Sequence, residues 1–277
     1  MSSNSSLTMT CILIFLAATF GPANAAETPV KLFLFGGQSN MDGCGRWHEL
    51  PETMKENPAN VRIWDNRKQE WKKIGEDTTA VARKLRFGPE VVFAHRLSVA
   101  FPDHQIRLVK TSAGGTSLAN GWLPETNKIY VRFIANALTA MANLQKSGHT
   151  VEISGMLWMQ GEGDADTIES AEAYEKNLEI MLADVRKVTG RQDLPVVMGR
   201  ISSSLLKETP WRFDHTPVVQ KAQDAVAEKD PHTYLVQTDD LSVLKDNTHF
   251  DTSGQLELGE RMSAQMLNAL SLIQSTP

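Results

Sequence analysis

The sequence predicts an α/β fold, a three-layer α/β/α sandwich around a parallel central sheet. Three observations carry this. Apolar runs rich in β-forming residues recur at Val30–Phe35, Gln105–Lys110, Val151–Met159, Leu194–Ile201 and Thr233–Gln237. Stretches with helical character separate them, at Pro89–Ala100, Ile129–Gln145, Ser170–Val188, Thr216–Glu228 and Gly254–Ile273. Short polar or glycine-containing clusters follow the strands. Strands alternating with helices pair in parallel through right-handed crossovers, which place helices on both faces of the sheet.

In chain order, Lys31-Leu32-Phe33-Leu34-Phe35 runs straight into Gly36-Gly37-Gln38-Ser39-Asn40-Met41. This puts one hydroxyl at the carboxyl edge of the sheet, where open α/β folds hold their chemistry. The glycines permit close approaches that other residues forbid. Ser39 is therefore the first candidate nucleophile. Residues 42–88 break the rhythm: they are rich in Trp, Asn, Lys and Glu and hold little regular pattern. A segment of that length in a compact domain is usually functional, so it is expected to lie over the site as a cover or substrate wall. Pro89 suits the first turn of the next helix. Ile129, Phe133, Ile134, Ala137, Leu138 and Met141 make a helical stripe, as do Leu178, Met181, Leu182 and Val185. With no repeat, low-complexity tract or second boundary, residues 26–277 read as a single domain.

The first 26 residues carry no charged side chain. The apolar run Cys11–Phe20 is about half the roughly twenty residues that a membrane span needs. Gly21-Pro22 and an A-x-A type site, Ala23-Asn24-Ala25, follow it. Residues 1–25 read as a secretory signal peptide, although its start lacks Lys and Arg; an N-terminal anchor or a buried strand is the alternative. Localisation is then secreted or periplasmic, with no membrane association after cleavage. The remaining chain, about 250 residues, is long enough for a large core. It keeps one cysteine, Cys44, so no intramolecular disulfide forms. A net charge of −5 disfavours nucleic acid and anionic membranes as partners.

Three further clusters hold candidate chemistry. Thr111-Ser112-Ala113-Gly114-Gly115-Thr116 could present bare backbone N–H groups to an anion, or be a tight turn. In Trp158-Met159-Gln160-Gly161-Glu162-Gly163-Asp164, the Gln160 amide could donate to an oxyanion. Glu162 and Asp164 could be a glycosidase pair or helix-start residues. In Asp246-Asn247-Thr248-His249-Phe250, the acid and the imidazole are three apart, so one turn brings them together. A serine hydroxyl needs a base, and histidine titrates near working pH. His48, His95, His104, His149, His215 and His232 have no comparable surroundings. G-x-S-x-G, a P-loop, a dinucleotide fingerprint and H-E-x-x-H are all missing from the sequence.

The order of these motifs resembles the SGNH (GDSL-like) hydrolase superfamily, and more narrowly the sialate O-acetylesterase and acetylxylan esterase domain of carbohydrate-esterase family six type. Gly37-Gln38-Ser39-Asn40-Met41, Gly88-Pro89-Glu90, Gly114-Gly115-Thr116, Trp158 to Asp164 and Asp246 to Phe250 carry the resemblance, which spans nearly the whole mature chain. One departure is Gly163, where Ser or Ala is expected. The resemblance implies a flavodoxin-like sheet, Ser39 as nucleophile, His249 as base and Asp246 as its orienting acid. It implies an oxyanion hole of the Ser39 N–H, the Gly115 N–H (or that of Gly114) and the Gln160 amide, with Glu162 structural. The expected function is removal of O-acetyl groups from carbohydrate such as acetylated xylan or sialic acid, with no metal or organic cofactor. The alternatives are a lipase- or thioesterase-like hydrolase and a non-catalytic carbohydrate-binding protein on this frame. Trp47, Trp64, Trp71 and Trp122 suit sugar stacking or the core.

Overall fold

The structure is a computed structural model that describes residues 28–78, 84–124, 127–207 and 212–275. The predicted signal peptide lies outside these. The chain runs through β1 (Val30–Gly37), α1 (Ser39–Asp42), β2 (Gly45–Arg46), α2 (Glu52–Lys55), β3 (Val61–Asp65), β4 (Glu70–Lys72), β5 (Arg86–Phe87) and α3 (Glu90–Ala100). It continues through β6 (Ile106–Ser112), α4 (Leu118–Gly121), α5 (Lys128–Lys146), β7 (Val151–Met159) and α6 (Ile168–Thr189). Then come β8 (Val196–Gly199), α7 (Thr216–Lys229), β9 (Thr233–Val236) and α8 (Thr252–Ser275).

The sheet order is β4-β3-β6-β1-β7-β8-β9. Every neighbouring pair is parallel except β3 with β4. The run β6-β1-β7-β8-β9 is the flavodoxin-like order. All eight residues of β1 are buried, which is why this strand reads as an unbroken apolar run rather than an alternating one. The chain leaves β1 toward β6 on one side and later returns to β7 on the other. That reversal opens a crevice at the carboxyl end of β1.

Helices α3 and α8 pack on one face, α5, α6 and α7 on the other. Phe33 and Phe35 each meet Phe93 of α3 edge-on at 5.2 Å between centroids. On the opposite face Trp122 and Trp158 cross at 4.8 Å. Each such side chain contributes roughly 1.5–3 kcal/mol by burial.

The 42–88 segment is not the predicted cover. Its β3 extends the sheet beside β6, β4 turns back antiparallel to close the edge, and β2 pairs with β5 in a short ribbon. Strands of five, three and two residues are too short to display a period, so the sequence pattern missed them. Trp47, Trp64 and Trp122 are buried in the core. The half-buried Trp71 packs against Trp64, with ring centroids 4.9 Å apart and planes tilted by 60°, and donates its indole N–H to Asn143 Oδ1 at 3.0 Å. These four tryptophans are packing residues. None faces the crevice described below.

Candidate active site

The turn after β1 is set by close packing. Gly37 has φ 150°, and a Cβ there would lie 2.1 Å from the Met159 carbonyl oxygen of β7. The next residue, Gln38, donates its N–H to that same oxygen at 3.0 Å. Ser39 then opens α1. Polar side chains anchor this short helix from beneath. Ser112 Oγ donates to Asp42 Oδ1 at 2.7 Å, while Lys110 Nζ donates to the Asp42 carbonyl and to Glu90, each at 2.8 Å.

The second half of the site is the loop before α8. Asp246 Oδ1 accepts the N–H groups of Thr248 and His249, both at 3.0 Å. This is an Asx-type turn. Asn247 takes φ 53°, a left-handed geometry asparagine tolerates. Asp246 Oδ2 lies 2.8 Å from His249 Nδ1, and His249 Nε2 lies 2.9 Å from Ser39 Oγ. Burial raises the Asp246 pKa, but the His249 ring and the two N–H groups outweigh it and hold the carboxyl below its usual value. An ionised carboxylate only accepts, so Nδ1 carries the ring proton and Nε2 is left to accept from the serine hydroxyl. Ser39, His249 and Asp246, the three residues singled out in the sequence, are thus brought together across 210 positions of chain.

Asn40 ties the two halves. Its Nδ2 donates to Glu162 Oε1 at 2.7 Å and to the Thr248 carbonyl at 2.9 Å, and its Oδ1 accepts the Phe250 N–H at 3.0 Å. The two backbone groups flank His249 in sequence. Glu162 is 1% exposed, and burial pushes its pKa up to about 7. It holds Asn40. Asp164 is fully buried, its pKa pushed up to about 6 by burial against opposing hydrogen bonds. Its carboxylate accepts the Leu118 N–H at 3.0 and 2.8 Å. With these bonds turned inward, Glu162 and Asp164 are not a glycosidase pair facing substrate.

A cavity of about 420 Å³ opens at Ser39, lined by Gln38, Gly114, Gly115, Gly163, Phe213 and His249 among others. Gly115 has φ 70° with open space where a Cβ would be, and a Cβ on Gly114 would touch Ser39 Cβ at 3.5 Å. Among the described residues the N–H groups of Ser39, Gly114 and Gly115 donate to no protein acceptor. Three bare donors around a serine hydroxyl can hold a developing oxyanion. Gln160 is the expected site residue that the structure does not bring to the cavity. Its side chain is wholly buried, and its Nε2 donates to Asp164 Oδ2 at 2.6 Å and to the Thr116 carbonyl at 3.1 Å. Two amide protons cannot serve these acceptors and a substrate together.

Sequence reasoning missed Gln38 and Asn40, although both stand beside Ser39 in the quoted motif. It also missed Asp166, Arg212 and Phe213 on the cavity rim. The Arg212 guanidinium sits 4.4 Å from the Phe213 ring centroid and 3.7 Å from Asp166. Loop residues without a period offer no signal of this kind. Gly163 has an explanation: a Cβ there would lie 2.5 Å from the Thr116 carbonyl oxygen, so Ser or Ala does not fit this loop. Cys44 is buried with Sγ 3.9 Å from the Ser39 carbonyl, away from the hydroxyl. Among the described residues no group of three His, Cys, Asp or Glu could hold a metal ion.

The chain and its fold have relatives. A probable carbohydrate esterase of Arabidopsis thaliana is 26% identical over 257 residues, 87% of this chain and 91% of that protein. The crystal structure of an Arabidopsis thaliana protein superposes with TM-score 0.73 at 22% identity, covering 87% of this chain and 99% of that one. A carbohydrate acetylesterase from Xanthomonas citri gives TM-score 0.63 at 18% identity, with 87% of this chain matching 57% of that one. At these identities the structural likeness speaks for the fold. A family model described as carbohydrate esterase, sialic acid-specific acetylesterase, matches residues 29–268. The chain therefore belongs to the sialic acid-specific acetylesterase family of carbohydrate esterases.

Proposed function

We propose that this protein is a serine esterase that removes O-acetyl groups from carbohydrate through an acetyl-enzyme intermediate. The observation that carries the reading is the Ser39–His249–Asp246 chain of contacts, 2.9 and 2.8 Å long, opening on a cavity with bare N–H donors. Ser39 Oγ adds to the acetyl carbonyl carbon as His249 Nε2 takes its proton. The carbonyl π pair moves to oxygen and is held by the Ser39 and Gly115 N–H groups. As the C–O bond to the sugar breaks, His249 gives the proton to the departing oxygen. Water then attacks the acetyl-enzyme with His249 again as base, releasing acetate.

Family membership supports a carbohydrate acetyl ester as substrate, of the sialic acid or xylan type. The polar lining of the cavity, with Asp166, Arg212 and Thr248, suits a hydroxylated leaving group better than a long acyl chain. The apolar run Cys11–Phe20 and the Ala23-Asn24-Ala25 site that follows it support export to the periplasm or the medium. No helix among the described residues is long and apolar enough to cross a membrane. Purified parent and Ser39→Ala are compared on acetylated sialic acid, acetylated xylan and esters of longer acids. The expected result is acetyl release by the parent alone. Equal rates for Ser39→Ala would overturn the mechanism, and activity confined to long acyl esters would overturn the substrate class.

A further inference from the structure

We infer that Arg212 and Asp166 form a subsite for the leaving sugar that reads two neighbouring hydroxyls and rejects a carboxylate, so that the acetylated substrate is a neutral saccharide. The inference rests on the esterase reading above and narrows its substrate class. Sialic acid, which names the family, carries a carboxylate; the wall of this cavity favours an uncharged sugar.

Arg212 and Asp166 line the same cavity as Ser39 and His249. They stand side by side, with Arg212 Nε 3.7 Å from Asp166 Oδ1, too far for a hydrogen bond. Among the described residues neither side chain makes a hydrogen bond. The two side chains are 51% and 42% exposed, so a substrate in the cavity reaches both.

The pair is held ready by its surroundings. The Arg212 guanidinium lies over the Phe213 ring, 4.4 Å from its centroid, a stacking that fixes the plane of the donors. Phe213 is buried and has φ 61°, a left-handed geometry that bulky residues rarely take. Its carbonyl accepts the Thr216 N–H at 3.0 Å and the Thr216 hydroxyl at 2.7 Å, which ties the turn to the start of α7. The His215 N–H donates to the Ala165 carbonyl at 3.2 Å. That bond joins the turn of Arg212 to the turn of Asp166 and sets their separation.

A guanidinium only donates and a carboxylate only accepts. Side by side they match a partner that does both, as hydroxyls on adjacent sugar carbons do. A sugar carboxylate can accept from Arg212 but has nothing to give Asp166, and it would stand beside it at like charge. The cavity lining sets one guanidinium against two carboxylates, Asp166 and Asp246. Asp246 gains a cationic partner only when His249 takes the Ser39 proton. An acidic sugar therefore enters at a disadvantage that a neutral one does not meet.

The test uses the full-length protein and measures acetate release from four esters. They are a methyl glucoside with one acetyl group between two free hydroxyls, the matching glucuronoside, the glucoside analogue lacking those two hydroxyls, and phenyl acetate. The parent should favour the glucoside over the glucuronoside by about fivefold or more in kcat/KM, and added salt should shrink the gap. Loss of the flanking hydroxyls should cost the parent about tenfold. Arg212→Gln should lower the preference for glucoside over phenyl acetate by about tenfold. In that variant the missing hydroxyls should matter little, because both changes remove the same contact. Asp166→Asn keeps the shape and removes the charge, so the gap between glucoside and glucuronoside should close to within about twofold. The inference is overturned if the parent hydrolyses the glucuronoside, or the analogue without hydroxyls, as well as the glucoside. It is also overturned if Arg212→Gln melts like the parent and keeps the parent's preference for glucoside over phenyl acetate. Hydrolysis of phenyl acetate by Ser39→Ala at the parent rate would instead overturn the esterase reading beneath it.

Discussion

Glu162→Gln removes a buried ionisable group while keeping its shape, and its effect on stability should depend on pH. Glu162 Oε1 accepts from Asn40 at 2.7 Å, while Oε2 is buried with no partner among the described residues. Burial raises the folded-state pKa from the usual 4.5 to about 7, helped by the nearby charge of Asp164 and opposed by the Asn40 bond. The folded protein therefore binds this proton more tightly than the unfolded chain does. Its stabilising effect is complete below about pH 4.5 and is lost as pH rises through about 7. At about 1.4 kcal/mol per pH unit, the full loss is about 3 kcal/mol. Asp164, raised to about 6, contributes a similar slope at lower pH, so the cleanest window runs from about pH 6 to about pH 8. There the parent should lose about 1–1.5 kcal/mol that the variant retains. At about 2–4 °C per kcal/mol for a domain of this size, the two melting temperatures should move relative to each other by several degrees. Urea unfolding and thermal melts across this range read the difference directly. A constant offset between parent and Glu162→Gln from about pH 6 to about pH 8 would refute the argument.

Asn40→Ala leaves the Thr248 carbonyl, the Phe250 N–H and Glu162 without their partner; stability should fall by about 2–4 kcal/mol in urea unfolding. Because both backbone groups flank His249, turnover should drop by at least about tenfold with little change in KM. Asp246→Asn keeps the shape of the turn but presents a donor to Nδ1; a loss of up to about 10⁴-fold in kcat is expected from steady-state rates. Gly163→Ala drives a Cβ to 2.5 Å from the Thr116 carbonyl oxygen; a cost of about 1–3 kcal/mol should appear in equilibrium unfolding.

Much of this fold is legible because the strands that build the site are long or wholly buried. The run Val30–Phe35 announces a central strand since both its faces are covered, and Val151–Met159 falls where the pattern puts it. The positions of Ser39, Asp246 and His249 follow from that frame: strand ends share one crevice, and three-residue spacing closes a turn. What was not legible depends on orientation. Nothing in Gln160 as a letter says that its amide is consumed by Asp164 and Thr116, because those partners arrive from a loop 44 residues earlier and from a helix start. The same holds for Asn40, whose three partners lie more than 120 positions away. The tryptophans of residues 42–88 misled for a related reason. An indole in an unpatterned segment reads equally well as sugar platform or core, and only the short strand β3 decides between them.

The most direct test of the central claim is mass spectrometry of the protein quenched during turnover of an acetate ester. The account predicts one added acetyl group on the peptide carrying Ser39, which accumulates in the parent, disappears on chase and is missing from Ser39→Ala. Steady turnover with no acetylated Ser39 peptide at any quench time, or an acetyl group on another residue that clears at the turnover rate, would contradict it.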